Sequence, residues 1–309
     1  MVRLLLSLVL AAAAAPAAAR IQDPATGVPP RLLQIEAAVV DGSGNPVTDL
    51  KPSEFEVWIG GYRVPIESVG VVSPDSADAT GRLILVLLDD ITVPQAMIPR
   101  ANQVARRFVN QLMPGDRMAV VLLNGDVVEI TADASKLRRR VEAYKQSIGV
   151  IALDQLGAHL LTTVGSLARQ IVEEPERRKA IVGIGSGWLL DTPVPPPHIG
   201  RDVRKEWFDA LRALAVSDTA YYVIDPGGVG ALRTAGAAGL SREAGGHAFT
   251  NTNDLDGAVD RILGELGHYY VLRVGDPPVG RKAPLRDLDV KVLRRGVTVR
   301  APRTMPGGG

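Results

Sequence analysis

The pattern of hydrophobic and polar positions along this 309-residue chain changes twice. Between residues 31 and 75, short segments alternate apolar and polar side chains, as strands with one buried face do. Between residues 82 and 267, continuous apolar runs alternate with segments whose apolar side chains recur every three or four positions. From residue 268 to 303 the short alternating pattern returns. The pattern predicts an α/β unit flanked by two β-rich segments.

The α/β unit is predicted to be a doubly wound, mainly parallel six-stranded sheet. The uninterrupted run Leu83–Leu88 is typical of a central strand that is buried on both faces. Asn124-Gly125 lies between Met118–Leu123 and Val127–Ile130, and this dipeptide is the strongest short hairpin signal, so one antiparallel strand is expected at a sheet edge. Six predicted strands alternate with six predicted helices, which favours right-handed crossovers. We expect the two β-rich segments to pair into a small annex.

The amino terminus has the pattern of a secretory signal peptide. Arg3 precedes the apolar run Leu4–Ala15, Pro16 breaks that run, and Ala17 and Ala19 provide the small-x-small spacing of a cleavage site. We therefore expect an exported protein that works in the periplasm or outside the cell. The alternative is an uncleaved anchor helix. No later stretch is long and apolar enough to predict a membrane span.

These patterns give the expected organisation of the whole chain. The boundaries are a signal peptide at 1–19, a linker at 20–30, an N-terminal β segment at 31–75, an α/β domain at 82–267, a C-terminal β segment at 268–303, and a disordered tail at 304–309.

The amino-acid composition excludes several kinds of chemistry and several classes of partner. The chain has no cysteine, which excludes disulfides and thiolate metal sites. Its formal net charge is +1, and its one basic run, Arg138-Arg139-Arg140, falls in a helical pattern typical of a solvated face. Only 4% of the residues are aromatic, so stacking surfaces for single strands are not expected. No nucleic-acid partner is predicted.

The candidate binding residues follow the ends of the predicted buried strands. In a doubly wound sheet, ligands bind beyond the carboxyl ends of the strands, at the point where the strand order reverses. Asp89 and Asp90 directly follow the first buried run. The predicted binding rim consists of Asp89, Asp90, Thr92, Ser186 and Asp191. The alternative is that these acidic residues are merely solvated or cap the next helix.

Several segments, taken in order, resemble the von Willebrand factor A domain, specifically its exported bacterial relatives. The resemblance covers nearly all of the chain after the predicted signal peptide. The segments that carry it are Val39–Val47 with Ser53-Glu54-Phe55, then Leu112–Arg117, which matches an L-x-P-x-D turn, then Ala237–Phe249 with its Gly-Gly turn, and finally Asp254–Leu272. The resemblance implies a Rossmann-like fold and a role in binding another protein.

Many A domains bind a divalent cation through an Asp-x-Ser-x-Ser loop, a threonine and a later aspartate, and this sequence departs from that pattern. Counted from Asp89, the two hydroxyl positions hold Ile91 and Val93. Counted from Asp90, only Thr92 keeps a hydroxyl. A hard cation needs several such oxygens at once.

At the position of the later aspartate stands Ser186. The resemblance therefore predicts a degenerate metal site and no cofactor. A weak site for Mg²⁺ or another divalent cation at Asp89, Asp90 and Thr92 stays open as the alternative.

Enzyme motifs fit poorly. Gly183–Gly187 matches neither the Gly-x-Ser-x-Gly nor the Gly-x-Gly-x-x-Gly pattern. The four histidines stand alone, and no nucleophile with a neighbouring base is evident. We expect an exported protein that mediates protein–protein interaction without catalysis. The alternatives are cation-dependent adhesion through a reduced site and an enzyme of unrecognised type.

Overall fold

The structure, a computed structural model, describes residues 32–76, 81–125, 128–147, 151, 155–176, 178–185, 203–230, 237–277 and 283–307. The predicted signal peptide and linker lie outside these residues. In chain order the strands are β1 (Leu32–Asp41), β2 (Phe55–Ile59), β3 (Tyr62–Val64), β4 (Ile66–Val72), β5 (Arg82–Leu88), β6 (Arg117–Leu122), β7 (Arg178–Ile184), β8 (Thr219–Ile224), β9 (Ala248–Phe249), β10 (Tyr269–Gly275), β11 (Leu285–Val292), β12 (Val297–Arg300) and β13 (Thr304–Pro306). The helices are α1 (Ile98–Asn110), α2 (Ala134–Glu142), α3 (Leu156–Gln170), α4 (Arg204–Val216), α5 (Ala237–Glu243) and α6 (Leu255–Gly267).

The central sheet is parallel, with the strand order β6-β5-β7-β8-β9. Every position of β5, β7 and β8 is buried, because helices cover both faces of the sheet. Helices α1, α2 and α6 pack on one face, where Val104, Val141 and Ile262 meet the sheet. Helices α3, α4 and α5 pack on the other face. This mixed architecture is consistent with a von Willebrand factor A-like fold.

The sheet has five strands in the described part of the chain, and the sixth expected strand is not formed there. Val127–Ile130 was predicted to continue a hairpin with β6, but residues 128–130 lie outside any strand, and only Thr131 forms an isolated antiparallel bridge with Met118. Asn124 explains the difference, because its N–H donates to the Asp90 carboxylate at 2.9 Å. The turn is thereby directed toward the next loop of the sheet and away from a tight hairpin.

The β-rich ends of the chain pair with each other across the α/β unit. One sheet has the order β12-β1-β10-β4 and the other β13-β11-β2-β3. Strand β1 is antiparallel to β10, with Ile35 opposite Leu272. The two sheets enclose their own core, in which Val57, Tyr270 and Val290 are buried. Alternating side chains in both segments make this packing possible.

The carboxyl-terminal residues 304–306 are ordered, which differs from the expected disordered tail. Strand β13 pairs with β11, placing Met305 opposite Arg286. The Met305 side chain packs against the core between the two antiparallel sheets. This contact with a strand elsewhere in the chain outweighs the local Gly- and Pro-rich composition.

The amino ends of the parallel strands hold ion pairs. At the start of β5, the Arg82 guanidinium donates to both carboxylate oxygens of Asp116, and both side chains are buried. At the start of β6, Arg117 pairs with Glu174 and Glu176. The buried Arg178, which begins β7, lies 3.4 Å from the Glu36 carboxylate of β1. These pairs fix one end of the sheet and join it to the antiparallel sheets.

No helix within the described ranges reaches the length and apolar character that crossing a membrane requires.

Candidate functional site

The strand order reverses at β5, and this places the candidate site. The chain leaves β5 for β6 on one side and then crosses to β7 on the other. The loops after β5 and β7 therefore diverge and frame a crevice at the carboxyl edge of the sheet. The residues that follow these two strands are Asp89 and Gly185.

Asp89 holds its own loop in a turn. Its Oδ1 accepts hydrogen bonds from the backbone N–H groups of Ile91 at 3.0 Å and Thr92 at 2.8 Å. Its Oδ2 accepts a hydrogen bond from the Thr92 hydroxyl. An aspartate followed three residues later by threonine is well suited to this local bonding. Both carboxylate oxygens thus stabilise the loop.

Burial dominates the electrostatics of Asp89. Only 3% of the residue is exposed, and removal from water raises the pKa of its carboxyl to about 6. The hydrogen bonds from Thr92 and Ile91 oppose that rise, and the neighbouring charge of Asp90 adds to it. In the part of the chain that is described, no cation forms a salt bridge with this carboxylate.

Asp90 connects its loop to the next one. Its Oδ1 accepts the Asn124 N–H at 2.9 Å, and its backbone carbonyl accepts the Ser147 N–H at 2.6 Å. Beside it, the Tyr144 hydroxyl donates to the Asp89 carbonyl at 2.7 Å. Asp90 is also buried. The two adjacent carboxylates therefore have different roles, one within the loop and one between loops.

Gly185 leaves room for Asp89. The backbone N–H of Asp89 donates to the Ile184 carbonyl at 3.0 Å, which brings the two loops together. A Cβ atom on Gly185 would lie 2.8 Å from the Asp89 Cβ and 2.9 Å from its Oδ2. A larger residue cannot occupy this position unless Asp89 moves.

A third strand-end carboxylate, Asp225, was missed by the sequence analysis. It follows β8, it is 1% exposed, and its Oδ1 accepts the Gly227 N–H at 2.8 Å. Its Oδ2 is buried and has no hydrogen-bond partner within the described ranges. Burial raises its pKa. The available signal was an aspartate directly after a buried strand, the same arrangement as Leu88-Asp89.

Of the predicted rim residues, the structure brings Asp89, Asp90 and Thr92 together in one loop. Ser186 and Asp191 lie outside the described residues. The rim also includes side chains that were not predicted. Val229, in the loop after β8, is 64% exposed; Pro94, Gln95 and Ala96, at a short 3-10 helix after β5, and Asn124, after β6, are also exposed.

The three candidate ligands fit a divalent cation poorly. Asp89 already accepts three hydrogen bonds, two of them from Thr92, and one oxygen of Asp90 is bonded to Asn124. Mg²⁺ requires near-octahedral oxygen coordination, which these partly engaged groups do not supply. Within the described ranges, no group of three or more His, Cys, Asp or Glu residues is arranged to hold a metal ion.

The described histidines do not converge on this rim with a nucleophile. His159 Nε2 lies 2.9 Å from the Leu123 carbonyl, and His268 Nδ1 lies 3.2 Å from the Gly264 carbonyl. His247 packs edge-on against Phe249, and burial lowers its pKa to about 4. These contacts are structural. His198 lies outside the described residues.

Comparisons with known proteins give distant matches in fold alone. No family model matches the chain, and no curated protein matches it. Among solved structures, proximal thread matrix protein 1 from the mussel byssus is 11% identical, with a TM-score of 0.42 over 68% of this chain and 51% of that one. A second structure of that protein, described as having a zinc-occupied MIDAS motif, is 12% identical, with a TM-score of 0.42 over 68% of this chain and 50% of that one.

The human COPII-coat protein Sec24c is 6% identical, with a TM-score of 0.34 over 74% of this chain and 44% of that one. The match thus spans about half the length of the first of these proteins. Scores and identities this low do not show membership of a family.

Proposed function

We propose that this chain is an exported A-domain-like protein that binds another protein through the loops at the carboxyl edge of its parallel sheet, without a metal ion and without catalysis. The observation that carries the proposal is the bonding of Asp89 and Asp90. Their carboxylates hold the loops after β5 and β6 in place. They thereby form a preorganised rim, which lowers the entropic cost of binding a partner.

The exposed surface of that rim suits a protein partner. Val229, in the loop after β8, is largely exposed, and its backbone N–H donates to the Asn253 side-chain oxygen at 3.4 Å, an oxygen to which the Arg100 guanidinium also donates. An exposed apolar side chain beside an arginine suits a protein interface, since arginine is enriched there. Loops carried on a rigid sheet are also where binding surfaces commonly lie.

Site-specific photo-crosslinking tests the proposal. A photoreactive residue replaces Val229 at the carboxyl edge or, as a matched control, Met113, which is 44% exposed in the turn at the amino edge. Each protein is irradiated with an envelope extract of the source organism, in EDTA or in Mg²⁺. We expect a discrete adduct from position 229 under both conditions and none from position 113. Equal labelling from both positions would contradict the proposal.

A second candidate is cation-dependent binding through a reduced site. The observation that favours it is the buried Oδ2 of Asp225, which has no hydrogen-bond partner among the described residues and lies at the same edge of the sheet as Asp89. The crosslinking experiment separates the two candidates. An adduct from position 229 that forms in Mg²⁺ and is lost in EDTA would support the second candidate and overturn the first.

A further inference from the structure

A groove lies along β6, the edge strand of the parallel sheet. It forms where residues 128–130, predicted to pair with β6 as a hairpin, lie outside any strand. Met118 and Thr131 exchange two backbone hydrogen bonds of 2.9 Å. Two residues further on, Val120 and Glu129 would be the next pair of an antiparallel ladder, but no backbone hydrogen bond joins these two residues. Helix α2 lies beside this opening, and together they form a groove of about 490 Å³.

The floor and the rim of the groove differ in chemistry. The floor is lined by Val120 and Leu137, which are only 4% and 2% exposed, and by the exposed Ala143. The cationic side chains that line the groove are Lys136, Arg139 and Arg140, and among the described lining residues the single carboxylate is that of Glu129. Lys136 Nζ lies 3.1 Å from the Glu129 carboxylate, and both side chains are more than half exposed. The groove therefore has an excess of positive charge around an apolar floor.

The structure divides the basic run of α2 into two parts. Arg139 and Arg140 line the groove, whereas Arg138 does not, and its guanidinium contacts the Asn110 side chain at 3.4 Å. The sequence predicted one solvated basic face for all three. Only part of the run therefore faces a concave surface that a partner can enter.

We propose that this groove binds an acidic, extended segment of a partner protein, in which carboxylate side chains alternate with apolar ones. Carboxylates of that segment would meet Arg139 and Lys136, and its apolar side chains would pack on Ala143 at the floor of the groove. The volume falls in the range of sites that enclose a short segment or a ligand of similar size. The apolar floor and the carboxylate of Glu129 favour a peptide over a phosphate backbone, which requires a broader cationic surface.

Fluorescence anisotropy with the full-length protein tests the proposal. The probe is a labelled peptide of alternating Glu and Val residues, and its counterpart with Gln in place of Glu is the control peptide. We expect saturable binding of the acidic peptide that weakens at high salt, because exposed charges are screened. The Gln peptide should bind at least about tenfold more weakly. Equal binding of the two peptides, or no binding of the acidic one, would overturn the proposal.

Matched variants locate the site. Arg139→Glu should weaken binding about tenfold, whereas Arg138→Glu, the same change one residue away on the same helix, should change it less than about twofold. Glu129→Gln should tighten binding, because it removes the lining carboxylate. Ala143→Phe should weaken binding by occupying the groove without changing its charge. Circular dichroism verifies that each variant is folded.

Three outcomes would contradict the assignment. One is an equal loss of affinity in Arg138→Glu and Arg139→Glu, which would indicate attraction to the whole helix. Another is unchanged binding by a folded Ala143→Phe. The third is a labelled oligonucleotide that binds more tightly than the peptide and is released by Arg139→Glu, since the groove would then bind a phosphate backbone.

Discussion

The buried carboxylates at the two edges of the parallel sheet have different kinds of hydrogen-bond partner. At the amino edge, Asp116 is buried against Arg82, and four contacts from that residue and one from the Met113 N–H satisfy its oxygens. At the carboxyl edge, Asp89 is equally buried, but its partners are N–H and O–H groups of its own loop. Among the described residues, Asp116 has a cation as its partner, and Asp89 has only neutral donors.

This difference assigns the two edges different tasks. Disrupting a buried ion pair that is fully hydrogen-bonded destabilises the folded protein. The ion pairs of the amino edge therefore hold the fold together. When a carboxylate is buried among neutral partners, removal from water makes its charged form unfavourable. The raised pKa of Asp89 has this cause. Such unfavourable arrangements are more common at functional sites than elsewhere. The carboxyl edge is accordingly the edge to which we assign binding.

The largest expected effect comes from breaking the amino edge. Asp116→Ala leaves the buried Arg82 without its counter-ion and should lower the free energy of unfolding by about 3 to 5 kcal/mol. Urea denaturation measures this change. The control is Asp260→Ala, which removes the exposed partner of Arg107 and should cost less than about 1 kcal/mol. Equal losses from the two variants would remove the basis for treating the amino edge as the stabilising one.

The charge of Asp89 should make stability depend on pH. Because the pKa rises from 3.8 to about 6 in the folded protein, the folded state binds the proton more tightly than the unfolded state. The contribution to stability is complete below pH 3.8 and is lost as the pH rises through about 6, a change of roughly 3 kcal/mol.

Asp89→Asn removes this pH-dependent contribution to the free energy of unfolding. The free energy of unfolding of Asp89→Asn minus that of the unmodified protein should therefore increase by roughly 2.5 kcal/mol between pH 4 and pH 7. Urea titrations at a series of pH values measure the difference. If the difference is flat across this range, Asp89 is not titrating as its burial implies.

A smaller effect is expected from Gly185→Ala, which crowds Asp89. The added methyl group would lie within 3 Å of the Asp89 side chain, so the loops after β5 and β7 must separate. Overpacking of this kind should cost about 2 kcal/mol. Thermal melting measures it, and Gly42→Ala, where a Cβ meets nothing within 4 Å, is the control. Equal melting temperatures for the two variants would mean that the contact between the loops is not tight.

The smallest effect concerns a single hydrogen bond. Thr92→Val preserves the side-chain shape but removes the hydroxyl that donates to Asp89 Oδ2. The loss should be about 1.5 kcal/mol at pH 7, where the carboxylate is charged, and smaller at pH 4. Thr92→Ser, which keeps the hydroxyl, should restore most of the stability. A Ser variant as unstable as the Val variant would assign the effect to packing.

The sequence predicted those features that depend on local pattern. The uninterrupted run Leu83–Leu88 was sufficient to identify β5, because only a strand covered on both faces is apolar at every position. From that strand, the alternation of elements located the switch point and the residues Asp89, Asp90 and Thr92. The alternating patterns predicted strands with one buried face in the two β-rich segments, and their pairing into an annex was an expectation that one sequence alone could not establish.

Features that depend on contacts distant in sequence were missed. Asn124-Gly125 predicts a hairpin locally, but the turn is directed by Asp90, which lies 34 residues earlier. Thr304–Pro306 has a composition typical of a disordered tail, yet it pairs with β11. Asp225 was overlooked because Pro226-Gly227-Gly228 indicates only a flexible connection, and its burial depends on the surrounding strands and loops.

Calorimetric titration of the protein with Mg²⁺ and Mn²⁺ tests the central claim, that the carboxylates of the carboxyl edge serve the loops and not a cation. We predict no saturable heat from either ion, and the same baseline for Asp89→Ala and Asp90→Ala. Saturable binding that is abolished by either substitution would contradict the account and establish a metal site at this edge.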